Sequence, residues 1–254
     1  MRLPFALLIA LQFLTRLPVR LPYLPAAQEN GRSLLWYPAV GGLIGLLLVL
    51  AQWLLAPTGP LLQAAIILSL WVWLSGALHL DGLADAADAW VGGHGDRERT
   101  LAIMKDPACG PVGVVALVLV LLLKFAALVS LLESQVGWAL LLVPWIGRLL
   151  LPTLLITTPY ARPGGLGAVL AAHAPVTLPS VLITHALVIA GLSVVVWGAL
   201  GLLPLICVAL FATYWRRLLL RRLGGTTGDT AGALLEIAEA LLLVVLALTL
   251  GING

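Results

Sequence analysis

The chain has 254 residues, 61% of them hydrophobic and 10% charged, and a mean hydropathy of +1.10, which excludes an ordinary soluble protein and reads as one membrane-embedded domain over residues 1–254. The formal charge of +3 is not gathered into a basic patch with interleaved aromatics, so nucleic acid is not an expected partner, whereas the lipid bilayer is. Cys109 and Cys207 stand far apart with no CxxC or Cys/His spacing, which points to neither a disulfide framework nor a zinc site.

In chain order, residues 3–14 form an apolar stretch with no small-residue cleavage site after it. Twelve residues cannot cross a hydrocarbon core that needs about twenty, so the stretch is expected to be a short interfacial or partly inserted helix. Seven candidate spans follow, at 34–56, 61–80, 113–132, 136–158, 178–197, 199–215 and 230–250, giving an all-α polytopic bundle. Pro57-Thr58-Gly59-Pro60 separates the first two, since two prolines and a glycine in four residues cannot continue a helix. Trp36, Trp53, Trp138 and Trp197 fall near span ends, where an aromatic belt belongs.

Of the 14 Lys and Arg, 12 precede the first span or follow the second, fourth and sixth; the other two, Lys124 and Arg148, lie inside spans. By the positive-inside rule the N-terminus and these charged segments are cytoplasmic. A charge at membrane depth needs a partner or a snorkelling route, so Lys124 and Arg148 are each expected to meet an acid or reach a substrate.

The 48 positions from Ser33 to Leu80 carry no Asp, Glu, Lys or Arg, and then Asp81, Asp85 and Asp88 arrive within eight residues. On a helix, positions i, i+4 and i+7 lie within about 60° of each other, so the three carboxylates form a stripe. A hard divalent cation, magnesium first, would neutralise it. The plain alternative is a solvated polar turn in which Asp88 or Asp96 is ordinary surface charge. His79 adjoins the stripe as a base or as an orienter of a carboxylate.

A second acidic group follows Gly224-Gly225-Thr226-Thr227-Gly228: Asp229, Glu236 and Glu239, spaced to share a helix face. Asp229 or Thr230 could be a simple N-cap. Glycine-rich backbone before a helix N-terminus can also cradle phosphate, which gives Gly228 a place in substrate binding. Both acidic segments lie at cytoplasmic ends by the charge count, so the second and seventh spans could pack side by side with their acids facing one cavity; Glu236 and Glu239 either face that cavity or pair with Lys124 or Arg148 inside the bundle. Arg97, Lys105 and Arg162 are the expected phosphate clamps.

These residues carry a family resemblance that runs nearly end to end. The sequence resembles the cobalamin synthase (adenosylcobinamide-GDP ribazoletransferase) family at Phe13-Leu14-Thr15-Arg16-Leu17-Pro18, at Tyr37-Pro38 with Gly41 and Gly45, and at His79-Leu80-Asp81-Gly82-Leu83-Ala84-Asp85. It does so again at Asp96-Arg97-Glu98-Arg99, Ile103-Met104-Lys105-Asp106, Pro159-Tyr160-Ala161-Arg162 and Thr227-Gly228-Asp229 with Glu236 and Glu239. It departs from the family at Pro107-Ala108-Cys109, where a basic or polar residue usually follows Met-Lys-Asp.

The resemblance implies attack of α-ribazole, or its 5′-phosphate, on the cobinamide-linked phosphorus of adenosylcobinamide-GDP, with GMP leaving and magnesium (Mg2+) as cofactor. The implied catalytic set is His79, Asp81, Asp85, Asp88 and Asp229, with the four aspartates as metal ligands. The implied substrate-binding set is Arg16, Arg97, Lys105, Asp106, Arg162, Gly228, Glu236 and Glu239. The general base and any homo-oligomer are left open.

Two other classes compete. A CDP-alcohol phosphotransferase also works with aspartates at a membrane face, but its Asp-x2-Asp-Gly-x2-Ala-Arg pattern is missing here. A transporter would place its acids near the midplane rather than at one edge.

Overall fold

The computed structural model describes residues 4–137, 139–162 and 164–250. Their regular structure is helical, with turns and loops between the helices and one isolated parallel bridge, Tyr160 to Thr226. Residue 3, at the start of the first apolar stretch, and Trp138, at a span end, lie outside the described residues.

The helices are α1 (Phe5–Leu14), α2 (Ala27–Ser33), α3 (Tyr37–Leu54), α4 (Pro60–Ser75), α5 (Leu78–Gly92), α6 (Arg97–Ile103), α7 (Pro111–Glu133), α8 (Ala139–Thr157), α9 (Leu166–Ala172), α10 (Leu178–Trp197), α11 (Leu202–Leu223) and α12 (Gly228–Leu250). Among the described residues, five helical stretches are long and apolar enough to cross a membrane, or six if α4 and α5 count as one bent span. The longest, Leu178–Leu223, holds α10 and α11 joined by a 3-10 turn at Gly198–Gly201, where the sequence reading had divided two spans. Ala186 and Ile189 of α10 border one groove with Leu205, Val208 and Ala209 of α11, so the two helices fold back alongside each other.

The second expected span, 61–80, does not run through. It stops at Ser75, Gly76 takes the left-handed conformation at φ 63°, Ala77 follows at φ 56°, and α5 leaves at 87° to α4. Glycine adopts this conformation without the Cβ penalty, which makes Gly76 a helix stop. The Arg16 side chain lies over the break: a Cβ on Gly76 would stand 2.5 Å from Arg16 Nε. The aspartates therefore sit on a separate helix turned away from the span.

α12 forms the centre, packed against α5, α7, α8 and α11, while α3 packs along α8. Gly41 and Gly45, four apart, put the α3 backbone against the Pro144 and Leu141 carbonyls of α8, the small-residue contact by which helices approach without a water-driven core. α1 is short, as expected, and buries Ala10 and Leu14 completely, in one core cluster with Leu34 and Tyr37.

Candidate active site

The site is made where α5 crosses the start of α12. Gly82 rests on the Asp229 backbone, where an added Cβ would stand 3.0 Å from Asp229 Cα, and Gly232 rests on His79, with 3.1 Å from such a Cβ to the His79 carbonyl. Two glycines thus bring the aspartate helix and the Thr-Gly-Asp helix into backbone contact. The expected meeting of the two acidic segments occurs here, through α5 rather than the preceding span.

Asp229 is free to serve this junction because another residue caps α12. Thr227 Oγ1 accepts from the Thr230 backbone N–H (3.2 Å), and Thr230 Oγ1 accepts from the Thr227 N–H (2.9 Å), a reciprocal cap that occupies the first orphan donors of the helix. Neither Asp229 nor Thr230 is the capping residue suggested by the sequence. Asp229 instead takes the Arg162 guanidinium, with Nη1 to Oδ2 at 2.9 Å. Arg162 Nε and Nη2 are buried without a partner among the described residues, so this guanidinium retains donors for a further anion.

Arg162 reaches Asp229 because its loop is strapped to the one before α12. The Ala161 N–H donates to the Thr226 carbonyl and the Thr226 N–H to the Pro159 carbonyl, both at 2.8 Å. Arg97 ties the same loops from α6, donating from Nε to the Leu223 carbonyl (2.7 Å) and from Nη2 to the Ala161 carbonyl (3.3 Å). The expected phosphate clamp is therefore engaged in holding backbone.

Tyr160 was not singled out in the sequence, although it sits in the Pro-Tyr-Ala-Arg block. Its hydroxyl accepts from the Gly228 N–H at 3.1 Å, so the free donor that Gly228 was expected to offer is already matched. Burial, with the Asp229 charge adding to it, pushes the Tyr160 phenol above its usual range, against the opposing effect of the Gly228 N–H.

The expected stripe on α5 divides in function. Asp81 is exposed and lines a cavity with His79, Asp229 and Gly228. Asp85 feels the charges of Asp81, Asp229 and Asp88, with Arg162 offsetting them. Asp88 accepts from the Gly110 N–H (2.7 Å) and the Gly113 N–H (2.9 Å), so it caps α7. His79 is 4% exposed, and its Nδ1 has no partner among the described residues. No group of three or more His, Cys, Asp or Glu forms a ready metal cage among the described residues.

Glu236 and Glu239 do not line this cavity. Both are buried, with Lys124 Nζ at 2.6 Å from an oxygen of each, and Arg148 meets the other oxygen of Glu239. This is the ion-pair alternative, and it corrects the substrate-binding expectation. Lys105 and Asp106 are exposed beyond α6, next to the buried Met104, whose sulfur accepts from Thr227 Oγ1 at 3.7 Å. Asp106 turns inward on its own loop and accepts from the Ala108 N–H at 3.0 Å.

The family model described as cobalamin-5-phosphate synthase matches residues 6–247. Curated relatives named adenosylcobinamide-GDP ribazoletransferase include one from Ectopseudomonas mendocina, 64% identical over 243 residues, covering 95% of this chain and 98% of the relative. Another, from Pseudomonas paraeruginosa, is 60% identical over 245 residues, covering 96% and 98%. A third, from Stutzerimonas stutzeri, is 58% identical with the same coverage. No solved structure matches the chain.

Proposed function

The chain belongs to the cobalamin-5-phosphate synthase family, and from that premise we propose that the α5–α12 junction transfers the adenosylcobinamide phosphate group from adenosylcobinamide-GDP to α-ribazole or its 5′-phosphate. The ribose hydroxyl of the acceptor forms a new P–O bond at the cobinamide-linked phosphorus, the bond to the second phosphate breaks, and GMP leaves. The observation that carries this reading is that Asp81 and Asp229, from two helices, line one cavity, while Arg162, from a third segment, holds the Asp229 carboxylate. Carboxylates and a guanidinium with spare donors are the groups that diphosphate chemistry needs.

Arg162 binds the diphosphate through Nε and Nη2 while Nη1 stays on Asp229. His79, in the cavity wall beside Asp81, takes the proton of the attacking hydroxyl. Magnesium is the proposed cofactor. A set of carboxylates short of a full cage suits an ion that keeps several waters and binds through one or two carboxylates plus substrate phosphates. Asp81 and Asp229, with Asp85 adjacent, would hold it. Bound there, it would neutralise charge on the phosphoryl oxygens and the departing phosphate.

The chain is a multi-pass membrane protein. We place it in the bacterial inner membrane, as the family resemblance implies, with the site facing the cytoplasm, an orientation supported by the distribution of Lys and Arg along the sequence. The test is a transfer assay on protein purified in detergent and returned to liposomes. GMP should appear in step with the cobalamin product and only when both substrates are present. GMP release at the same rate without the ribazole would make the protein a hydrolase instead.

A further inference from the structure

The cavity beside Asp81 and Asp229 has a chemistry of its own away from the carboxylates. Phe13 of α1, Tyr37 of α3, Leu151 and Leu155 of α8 and Leu170 of α9 wall it, with the Phe13 and Tyr37 rings stacked at 6.0 Å between centroids. Its polar groups are largely engaged: the Tyr37 hydroxyl meets Ser33, and the Tyr160 hydroxyl receives the Gly228 N–H. Among the described residues, His79 in the wall also keeps an unmatched Nδ1.

We propose that this cavity holds the base of the ribazole acceptor, with Leu155 and Leu170 as residues that set base specificity; the assignment rests on the transfer reading above. The ribazole base is a dimethylated benzimidazole, a flat bicyclic ring with hydrocarbon edges and one free ring nitrogen. Leucine and aromatic walls match those edges, and the ring presents a single hydrogen-bonding atom. Guanine, the base of the other substrate, carries an N–H, an amino group and a carbonyl along one edge, and these walls would leave them unpaired.

Size agrees with this choice. The cavity is about 190 Å³, below the roughly 300–1,000 Å³ of pockets that take a whole drug-sized ligand. It fits one ring system and leaves the attached ribose at the mouth, beside Asp81 and Asp229, where the attacking hydroxyl is needed.

The test separates binding from turnover. Titration calorimetry of wild-type protein with α-ribazole alone, and with GMP alone, is compared with Leu155→Asn, with the milder Leu155→Met, and with Leu78→Asn at the cavity rim, where Leu78 is 40% exposed. Leu155→Asn should weaken α-ribazole binding by about tenfold or more and shift preference toward an adenine riboside, leaving GMP binding within about twofold. Should Leu155→Asn fail to fold, Leu155→Met and Leu78→Asn should show the same selective loss on a smaller scale. Loss of GMP binding with α-ribazole binding intact, or no change in either, overturns the assignment. The transfer assay on the same preparations reports on the reaction separately. A wild type that binds α-ribazole in a Leu155-dependent way without transferring would remove the proposed reaction and keep this subsite, whereas normal transfer with Leu155-independent binding would remove the subsite alone.

Discussion

Lys124 Nζ and Glu236 Oε2, 112 positions apart in the chain, meet at 2.6 Å in the interior of the bundle. The same ammonium lies 4.9 Å from the centroid of the Trp71 ring and contacts Glu239, which Arg148 also holds. Two cations and two anions balance, and the network joins α4, α7, α8 and α12 at depth. With every charge paired, the helices are fixed in register without an isolated ion in the interior.

Glu236→Gln is therefore expected to insert and lose thermal stability before it loses chemistry. Removing one partner of a buried pair costs about 3–5 kcal/mol. Replacing Lys124 and Glu236 together with Met should recover a large part of that loss, since Glu239 keeps Arg148. Thermal unfolding in detergent, paired with turnover at a permissive temperature, checks this. Normal stability with lost turnover would put Glu236 back at the catalytic cavity.

Asp88→Ala should cost about 1 kcal/mol through the lost cap on Gly110 and Gly113, and Asp88→Ser should recover part of it. Turnover should fall far less than in Asp81→Asn when both are assayed below their unfolding transitions. Equal loss in the two variants would show that Asp88 acts in the reaction as well as in the cap.

Asp81→Asn and Asp229→Asn should each lower kcat by at least about hundredfold, the scale for removing one pre-organised group that stabilises transferring charge. Magnesium titration of the residual activity should show a weaker apparent affinity in both. Unchanged magnesium dependence in both variants would exclude these carboxylates as its ligands.

Arg162→Lys keeps a positive charge near Asp229 but removes the planar fork whose Nε and Nη2 are unpartnered. KM for adenosylcobinamide-GDP should rise by about tenfold or more while KM for α-ribazole stays near wild type, in line with the loss of one charge-assisted contact. Steady-state kinetics with each substrate varied in turn decides it. A rise in KM for α-ribazole alone would contradict the assignment of Arg162 to the diphosphate.

Much of the site was legible along the chain. A charge-free stretch ending in Asp81, Asp85 and Asp88 marked the helix that lines the candidate site, because carboxylates beside long apolar spans need something that neutralises them. Asp229 was legible for the same reason, and Arg162 as a guanidinium in an otherwise uncharged loop. Thr227 was less so, although Thr at the residue before a helix, with Thr230 three positions on, is a recognisable cap pattern. Tyr160 carried no signal beyond its place between Pro159 and Arg162.

The sequence by itself determined that the chain is a helical membrane protein of this family with acidic chemistry gathered in two segments, since hydropathy, charge spacing and motif order are properties of the chain alone. Which acid does what was decided by tertiary structure. Asp81 and Asp88 share one helix, and Asp229, Glu236 and Glu239 another, yet Asp81 and Asp229 reach the cavity, Asp88 caps α7, and the two glutamates are neutralised by Lys124 and Arg148. Those assignments depend on the bend at Gly76 and on the glycine contacts between α5 and α12. Periodicity ranks positions around one helix axis, but a carboxylate's role is fixed by the groups that a distant segment brings to it.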